Sequence, residues 1–130
     1  MPHLRIADAA RFLGVSDDTV RRLIQSGSLT EQHDASGRLA VDGAELAAYL
    51  KSGAPDLSDG TRRSSARNRF VGLVTSVKAD AVMAQVDLQC GPFRVVSLMS
   101  RESVDELALE PGSVAVAVVK STNVVIEKDL

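Results

Sequence analysis

Cysteine is almost missing from this chain. Cys90 is the only one in 130 residues, so no disulfide within the chain is possible. With two histidines beside it, the set is too sparse for a zinc-type ligand cluster. Long apolar runs are missing as well: nothing approaches the ~20 residues a membrane-spanning helix needs. Met1 to Arg5 lacks the basic-then-apolar pattern of a signal peptide. A cytoplasmic protein with no membrane partner is the expectation. Charge of one sign is also absent, the formal net charge being −2. Lys and Arg number 8 against 9 Asp and Glu up to Ser64, and 7 against 8 after it. Neither half is a basic body, so any nucleic-acid contact has to come from a local basic face. No nucleophile–base pair or metal set is evident. His3 lies in an N-terminal segment that looks unstructured and His33 in a hairpin segment, so neither has a plausible partner. An enzyme is not expected.

What is present changes character near Ser65-Ala66-Arg67-Asn68. An Ala-rich, helical half precedes it and a Val-rich half with period-two alternation follows. The length suits one domain or two small ones near the lower limit for folding alone. The division expected is 1–52, a connection at 53–64, and 65–130. The connection carries Gly53, Pro55 and Gly60 without periodicity and reads as a flexible tether. Arg62 and Arg63 at its end are available to phosphate or to another anion.

In the first half, Ile6, Ala9, Ala10 and Leu13 fall at i, i+3, i+4 and i+7, one face of a helix over 6–13. Gly14 is placed to stop it. Ser16 is a strong N-cap, and Asp17 and Asp18 suit the first turn of a second helix over 17–25. Val20, Leu23 and Ile24 form its inward face. Two short helices across a tight Gly-Val-Ser corner make a helix-turn-helix, whose second helix enters the major groove. Its outward residues are suited to meeting DNA, with Thr19 for phosphate, Arg21 and Arg22 for phosphate or guanine edges, and Gln25 for a base. The bland alternative is a solvated charged face. Extended segments around Asp34-Ala35-Ser36-Gly37 read as a hairpin, with Arg38 placed for the DNA backbone or minor groove. Asp42-Gly43-Ala44-Glu45 reads as a capping box opening a third helix over 43–51, with Leu46, Ala47 and Leu50 inward.

This half resembles the winged helix-turn-helix of the excisionase and MerR-like family. The resemblance rests on Ala9-Ala10-x-x-Leu13-Gly14-Val15-Ser16-x-x-Thr19-Val20-Arg21-Arg22-Leu23-Ile24, Gly27-x-Leu29, Val41-Asp42 and Leu46-x-x-Tyr49-Leu50. It implies DNA as partner, bound as a dimer or within a larger assembly. The wing is less basic than is usual there, with Glu31 and Asp34 in it.

In the second half, strands are expected at 70–77, 81–88, 93–99, 114–120 and 123–127, with a short helix at 104–107 capped by Ser100 to Ser103. Five strands and one helix suggest an OB-like barrel, and the whole chain is α+β. If the first and fourth strands are neighbours, Ser65 and Arg67 meet Lys120, Ser121 and Thr122. Two cations with hydroxyls and backbone N–H groups suit a tetrahedral dianion. Polar residues at strand ends are also commonly just solvated.

Ser65-Ala66-Arg67-Asn68, Gly72-x-Val74-x-Ser76-Val77-Lys78, Ser103-Val104-x-x-Leu107-x-Leu109-x-x-Gly112 and Val118-Val119-Lys120-Ser121-Thr122-Asn123-Val124 resemble the Mop domain of the molbindins, also called TOBE. The resemblance covers Ser65 to about Glu127. It implies molybdate or tungstate as the bound oxyanion, contacted by Ser65, Arg67, Lys120 and Ser121, with Ala66 offering backbone and Ser103 a further contact. It also implies anion sites between subunits of a homo-oligomer, from dimer up to hexamer. The two halves together look like a molybdate-responsive regulator carrying one Mop repeat. The alternative is a molybdate store whose first module serves assembly.

Overall fold

The computed structural model describes residues 2–53 and 64–128. These fall in two units, Met1–Asp56 and Leu57–Leu130. The tether assigned to 53–64 lies mostly on residues 54–63, outside the described residues, as do Arg62 and Arg63. Its first residue, Gly53, is instead the last residue of a helix.

In the first unit, α1 (Ile6–Leu13) and α2 (Asp17–Gln25) have the bounds expected of them. The corner between them is made by backbone chemistry. Gly14 sits at φ 71°, where its amide donates to the Arg11 carbonyl at 3.3 Å and the Val15 amide reaches the Ala10 carbonyl at 3.1 Å. Ser16 Oγ then accepts from the Thr19 amide at 3.2 Å and caps α2. Ile6, Ala9 and Ala10 of α1 pack with Val20 of α2 in one core, joined by Leu29, Val41 and Leu46. Leu29 and Leu46 are among the largest fully buried side chains. Burying each is worth about 1.5–3 kcal/mol.

The hairpin is present as β2 (Gln32–His33) and β3 (Leu39–Asp42). Asp34 Oδ1 organises its turn by accepting from the Ser36 amide at 2.8 Å and the Arg38 amide at 3.0 Å. A third strand was not foreseen. β1 (His3–Arg5) pairs antiparallel with β3, putting His3 opposite Asp42, so the N-terminal segment is ordered. The sheet order is β1-β3-β2. α3 (Gly43–Gly53) runs two residues further than expected. Asp42 Oδ2 caps it from the Glu45 amide at 3.1 Å. The return half of the capping box does not form: the Glu45 carboxylate accepts from the Thr30 amide instead. Only Leu46 of the expected inward face is buried; Ala47 and Leu50 are exposed.

The second unit is a four-stranded antiparallel sheet. It comprises β4 (Ala66–Ala79), β5 (Met83–Cys90), β6 (Phe93–Ser100) and β7 (Val114–Lys120), in the order β6-β5-β4-β7. Asp80 Oδ1 accepts from the Val82 and Met83 amides, both at 2.8 Å, and tightens the β4–β5 turn. The core forms on one face from Val74, Ala84, Val86, Leu88 and Cys90, covered by Val104 of α4 (Arg101–Leu107). α4 starts three residues earlier than expected, because Ser100 Oγ alone caps it from the Ser103 amide at 3.1 Å. Gly72 lets β4 and β5 approach: a Cβ there would lie 2.4 Å from the Gln89 carbonyl oxygen and 2.7 Å from Cys90 Sγ.

Two expectations fail in this unit. Residues 123–127 are not a strand. Ser121–Asn123 form a 3₁₀ turn, closed by the Val124 amide on the Ser121 carbonyl at 3.3 Å, and the chain continues unpaired. The β4–β7 ladder ends at Ala66 opposite Lys120, so the chain beyond Lys120 finds no strand to pair with. Without a fifth strand the sheet is not a closed barrel among the described residues. β6 and β7 are its edges.

Candidate functional site

The β4–β7 ladder assembles the candidate oxyanion cradle. Ala66 lies opposite Lys120, and Asn68 opposite Val119, with a break in register between them. Arg67 is therefore the extra residue of a bulge, which turns a side chain out of the regular alternation. The Asn68 amide Nδ2 donates to the Val119 carbonyl at 3.0 Å and pins the two strands just past the bulge. On the far side, β7 ends at Lys120 and the 3₁₀ turn begins at Ser121. Ser65, Ala66 and Arg67 are thus brought beside Lys120 and Ser121 at one end of the sheet. Ala66 is half-buried and the other four are exposed.

Ser64 completes the local geometry. Its hydroxyl oxygen accepts from the Ala66 amide at 3.1 Å, and its carbonyl accepts from Arg67 Nη1 at 3.0 Å. Neither the Asn68 clasp nor the Ser64 contacts were anticipated. Asn68 stands in the motif that carried the resemblance, but nothing in a sequence announces a bulge.

Ser103 does not join this cluster within one chain. It sits in the first turn of α4, where its hydroxyl accepts from Ser100 Oγ at 2.8 Å. Ser100 pairs with Met83, next to the Ala79–Ala84 end of the β4–β5 ladder. Ala66 is at the opposite end of β4, 13 residue steps away (66 to 79). At about 3.3 Å per step the strand path is on the order of 40 Å.

A separate polar cluster lies on the other face of β5. Asp87 is buried, accepting at Oδ2 from Arg94 Nε at 2.8 Å and at Oδ1 from Gln85 Nε2 at 3.2 Å. The Arg94 contact first, then Gln85, holds the Asp87 carboxyl below the usual carboxylate range. Arg94 is committed to that pair.

In the first unit, Arg21, Arg22 and Gln25 are exposed on α2, opposite buried Val20. Arg21 and Gln25 are four apart and share a face. Thr19 is different: it is half-buried, and its hydroxyl shares a 3.0 Å hydrogen bond with Ser16 Oγ inside the helix cap. Arg38 is exposed at the wing, its backbone held by Asp34. Those contacts from the Arg38 and Ser36 amides lower the Asp34 carboxyl and keep it anionic beside the basic residue.

Residues 64–126 match the TOBE domain, and residues 4–54 match a helix-turn-helix domain. Molybdenum-pterin-binding protein 2 of Clostridium pasteurianum is 43% identical over 63 residues, which is 48% of this chain and 93% of that protein. Molybdenum transport protein ModE of Herbaspirillum seropedicae is 34% identical over 68 residues, 52% of this chain but only 25% of that protein. Among solved structures, a molybdate binding protein from Sporomusa ovata superposes with a TM-score of 0.50 at 28% identity, over 52% of this chain and 100% of that one.

Proposed function

The chain belongs to the TOBE domain family through residues 64–126, with a helix-turn-helix domain ahead of it, and on that premise we propose that it is a molybdate- or tungstate-binding regulator of transcription. The observation that carries this reading is the Ala66–Lys120 register, which gathers Arg67, Lys120, Ser65 and Ser121 at one sheet end. A tetrahedral dianion needs two compensating charges and several N–H or O–H donors. Arg67 and Lys120 supply the charges. Ser65, Ser121 and the Ala66 amide supply donors. The relatives whose names refer to molybdenum or molybdate support the choice of anion.

The charged side chains are exposed in one chain, so a second copy closes the site, and Ser103 of that copy is available to it. The protein acts as a homo-oligomer, dimer up to hexamer, with anion held between subunits in the cytoplasm. α2 enters the major groove through Arg21, Arg22 and Gln25, with Arg38 on the backbone. Anion binding alters DNA affinity to the extent that it favours one subunit arrangement over another. Among the described residues, no helix is long and apolar enough to cross a membrane.

A second reading is a molybdate store whose first domain serves assembly. Two observations favour it: the carboxylates of Glu31 and Asp34 in the wing, and the Thr19 hydroxyl held in the cap. Calorimetric titration with molybdate, tungstate and sulfate, followed by gel shift on promoter DNA with and without anion, separates the two. Micromolar or tighter binding of molybdate or tungstate over sulfate is expected, with DNA affinity changed by the anion. Arg67→Ala and Lys120→Ala should each abolish anion binding and leave the circular dichroism spectrum intact. Equal sulfate binding sinks the anion reading. Anion binding without any DNA response at low salt favours the store.

A further inference from the structure

We infer that Ser64 is a built-in competitor for the oxyanion cradle, occupying two of its donors and setting its affinity. The inference rests on the reading of Ser65, Arg67, Lys120 and Ser121 as oxyanion contacts. It starts from what an anion needs at Ala66. A backbone amide carries one proton, and the Ala66 proton is already directed at Ser64 Oγ, 3.1 Å from the nitrogen. The neighbouring cation is engaged by the same residue, with Arg67 Nη1 3.0 Å from the Ser64 carbonyl oxygen. Both oxygens of one residue therefore stand where oxygens of a bound anion would stand. Two of the cradle's donors are thus engaged by its own chain, and an anion that takes them exchanges with Ser64.

The exchange is favourable because an anionic oxygen is a stronger acceptor than a hydroxyl or a carbonyl, above all towards a guanidinium. It is reduced by the fraction of molecules in which Ser64 holds the donors, since apparent affinity scales with the competent fraction. The bulge at Arg67, pinned by Asn68 on Val119, keeps the backbone of the cradle fixed while this happens. Only Ser64 has to turn away. Ser64 is also the first described residue on the C-terminal side of 54–63, the stretch leading from the helix-turn-helix domain. Loading the cradle therefore frees the residue at that junction.

Ser64→Ala removes the hydroxyl competitor and leaves the backbone as it was. Losing one neutral hydrogen bond corresponds to roughly a two- to tenfold change, so sodium molybdate should bind the full-length variant two- to tenfold more tightly in calorimetry. Ser64→Thr restores the hydroxyl and should return wild-type affinity. The Ala66 amide resonance supplies an independent readout. Without anion it should differ between wild type and Ser64→Ala, and at saturating molybdate it should coincide. Unchanged affinity in Ser64→Ala overturns the competitor role. Affinity weakened tenfold makes Ser64 a direct ligand and overturns it equally. Both leave the functional reading standing if wild type binds, whereas a wild-type protein that binds no molybdate sinks that reading and this inference together.

Discussion

Gly72→Ala should cripple the second unit and spare the first. Gly72 lies in β4, opposite Ala115 of β7. A methyl group there would meet the Gln89 carbonyl oxygen at 2.4 Å, Cys90 Sγ at 2.7 Å and the Gln89 carbonyl carbon at 2.9 Å. The sulfur belongs to a short side chain that is itself buried and lies 3.6 Å from the Phe70 carbonyl. The other two atoms are backbone, in a strand paired on both sides through Leu73 and Arg94. Ordinary contact begins about 1 Å beyond the 2.4 Å approach, so β5 must retreat or β4 must twist. Overpacking of this kind costs about 1–3 kcal/mol. A stretched ladder hydrogen bond adds about 1 kcal/mol. Alanine recovers about 0.5–1 kcal/mol through the lower entropy of its unfolded chain. The net loss is about 1–3.5 kcal/mol. For a domain of this size each kcal/mol moves Tm by about 4–8 °C, giving a fall of roughly 5–25 °C. Scanning calorimetry at fixed protein concentration reads it directly, with the helix-turn-helix transition as internal reference. Adding Cys90→Ala should restore part of the loss only, because the carbonyl clash remains. A Tm within about 2 °C of wild type would refute the close approach of β4 and β5.

Three further outcomes follow from other residues. Ala108 is the C-cap of α4 at φ 52° and the only non-glycine at positive φ among the described residues. Relief of about 1–2 kcal/mol of left-handed strain, less the entropic cost of glycine, should make Ala108→Gly about 0.5–1 kcal/mol more stable by urea unfolding. The Asp87 carboxyl is lowered chiefly by Arg94, so its contribution is full above the unfolded value of about 3.9 and is lost as pH falls through the lower folded value. The Tm of the second unit should drop below about pH 4 in wild type and much less in Arg94→Met; parallel profiles would refute the pairing. Arg21→Ala with Arg22→Ala should flatten the salt dependence of DNA binding by about 1–2 in slope, at roughly 0.9 per phosphate contact, and leave molybdate titration unchanged.

The parts of the fold legible in the sequence are those fixed by neighbours along the chain. α1 stops at Gly14 and α2 starts from Ser16, because caps are local chemistry. What escaped depends on partners distant in sequence. A strand exists only where another strand can pair with it, so the apolar alternation of 123–127 read as a strand although the ladder had already run out at Lys120. The converse held for His3–Arg5, too short to show a period yet recruited by β3. Glu45 satisfied the capping-box pattern but found Thr30, fifteen residues back, in place of its own helix start. In the candidate site, the residue types came from the Mop resemblance, since polar residues at strand ends are by themselves commonly just solvated. The bulge that makes Arg67 the odd residue, and the Ser64 oxygens occupying its donors, arise from register and needed coordinates.

The two open edges of the four-stranded sheet set a condition on how copies can meet. β7 presents Val114, Val116 and Val118, all exposed, with charge only at Lys120 where the strand ends. An edge of that composition is a template for another strand. Pairing β7 of one copy with β6 of the next leaves the same two edges at either end of the product, so growth has no intrinsic stopping point unless the rotation per copy closes a ring. Self-complementary pairing, β7 against β7, uses up that edge in two copies and leaves β6 at both outer ends. The number of chains in a finite particle is therefore fixed by angle, while protein concentration decides only how completely it fills.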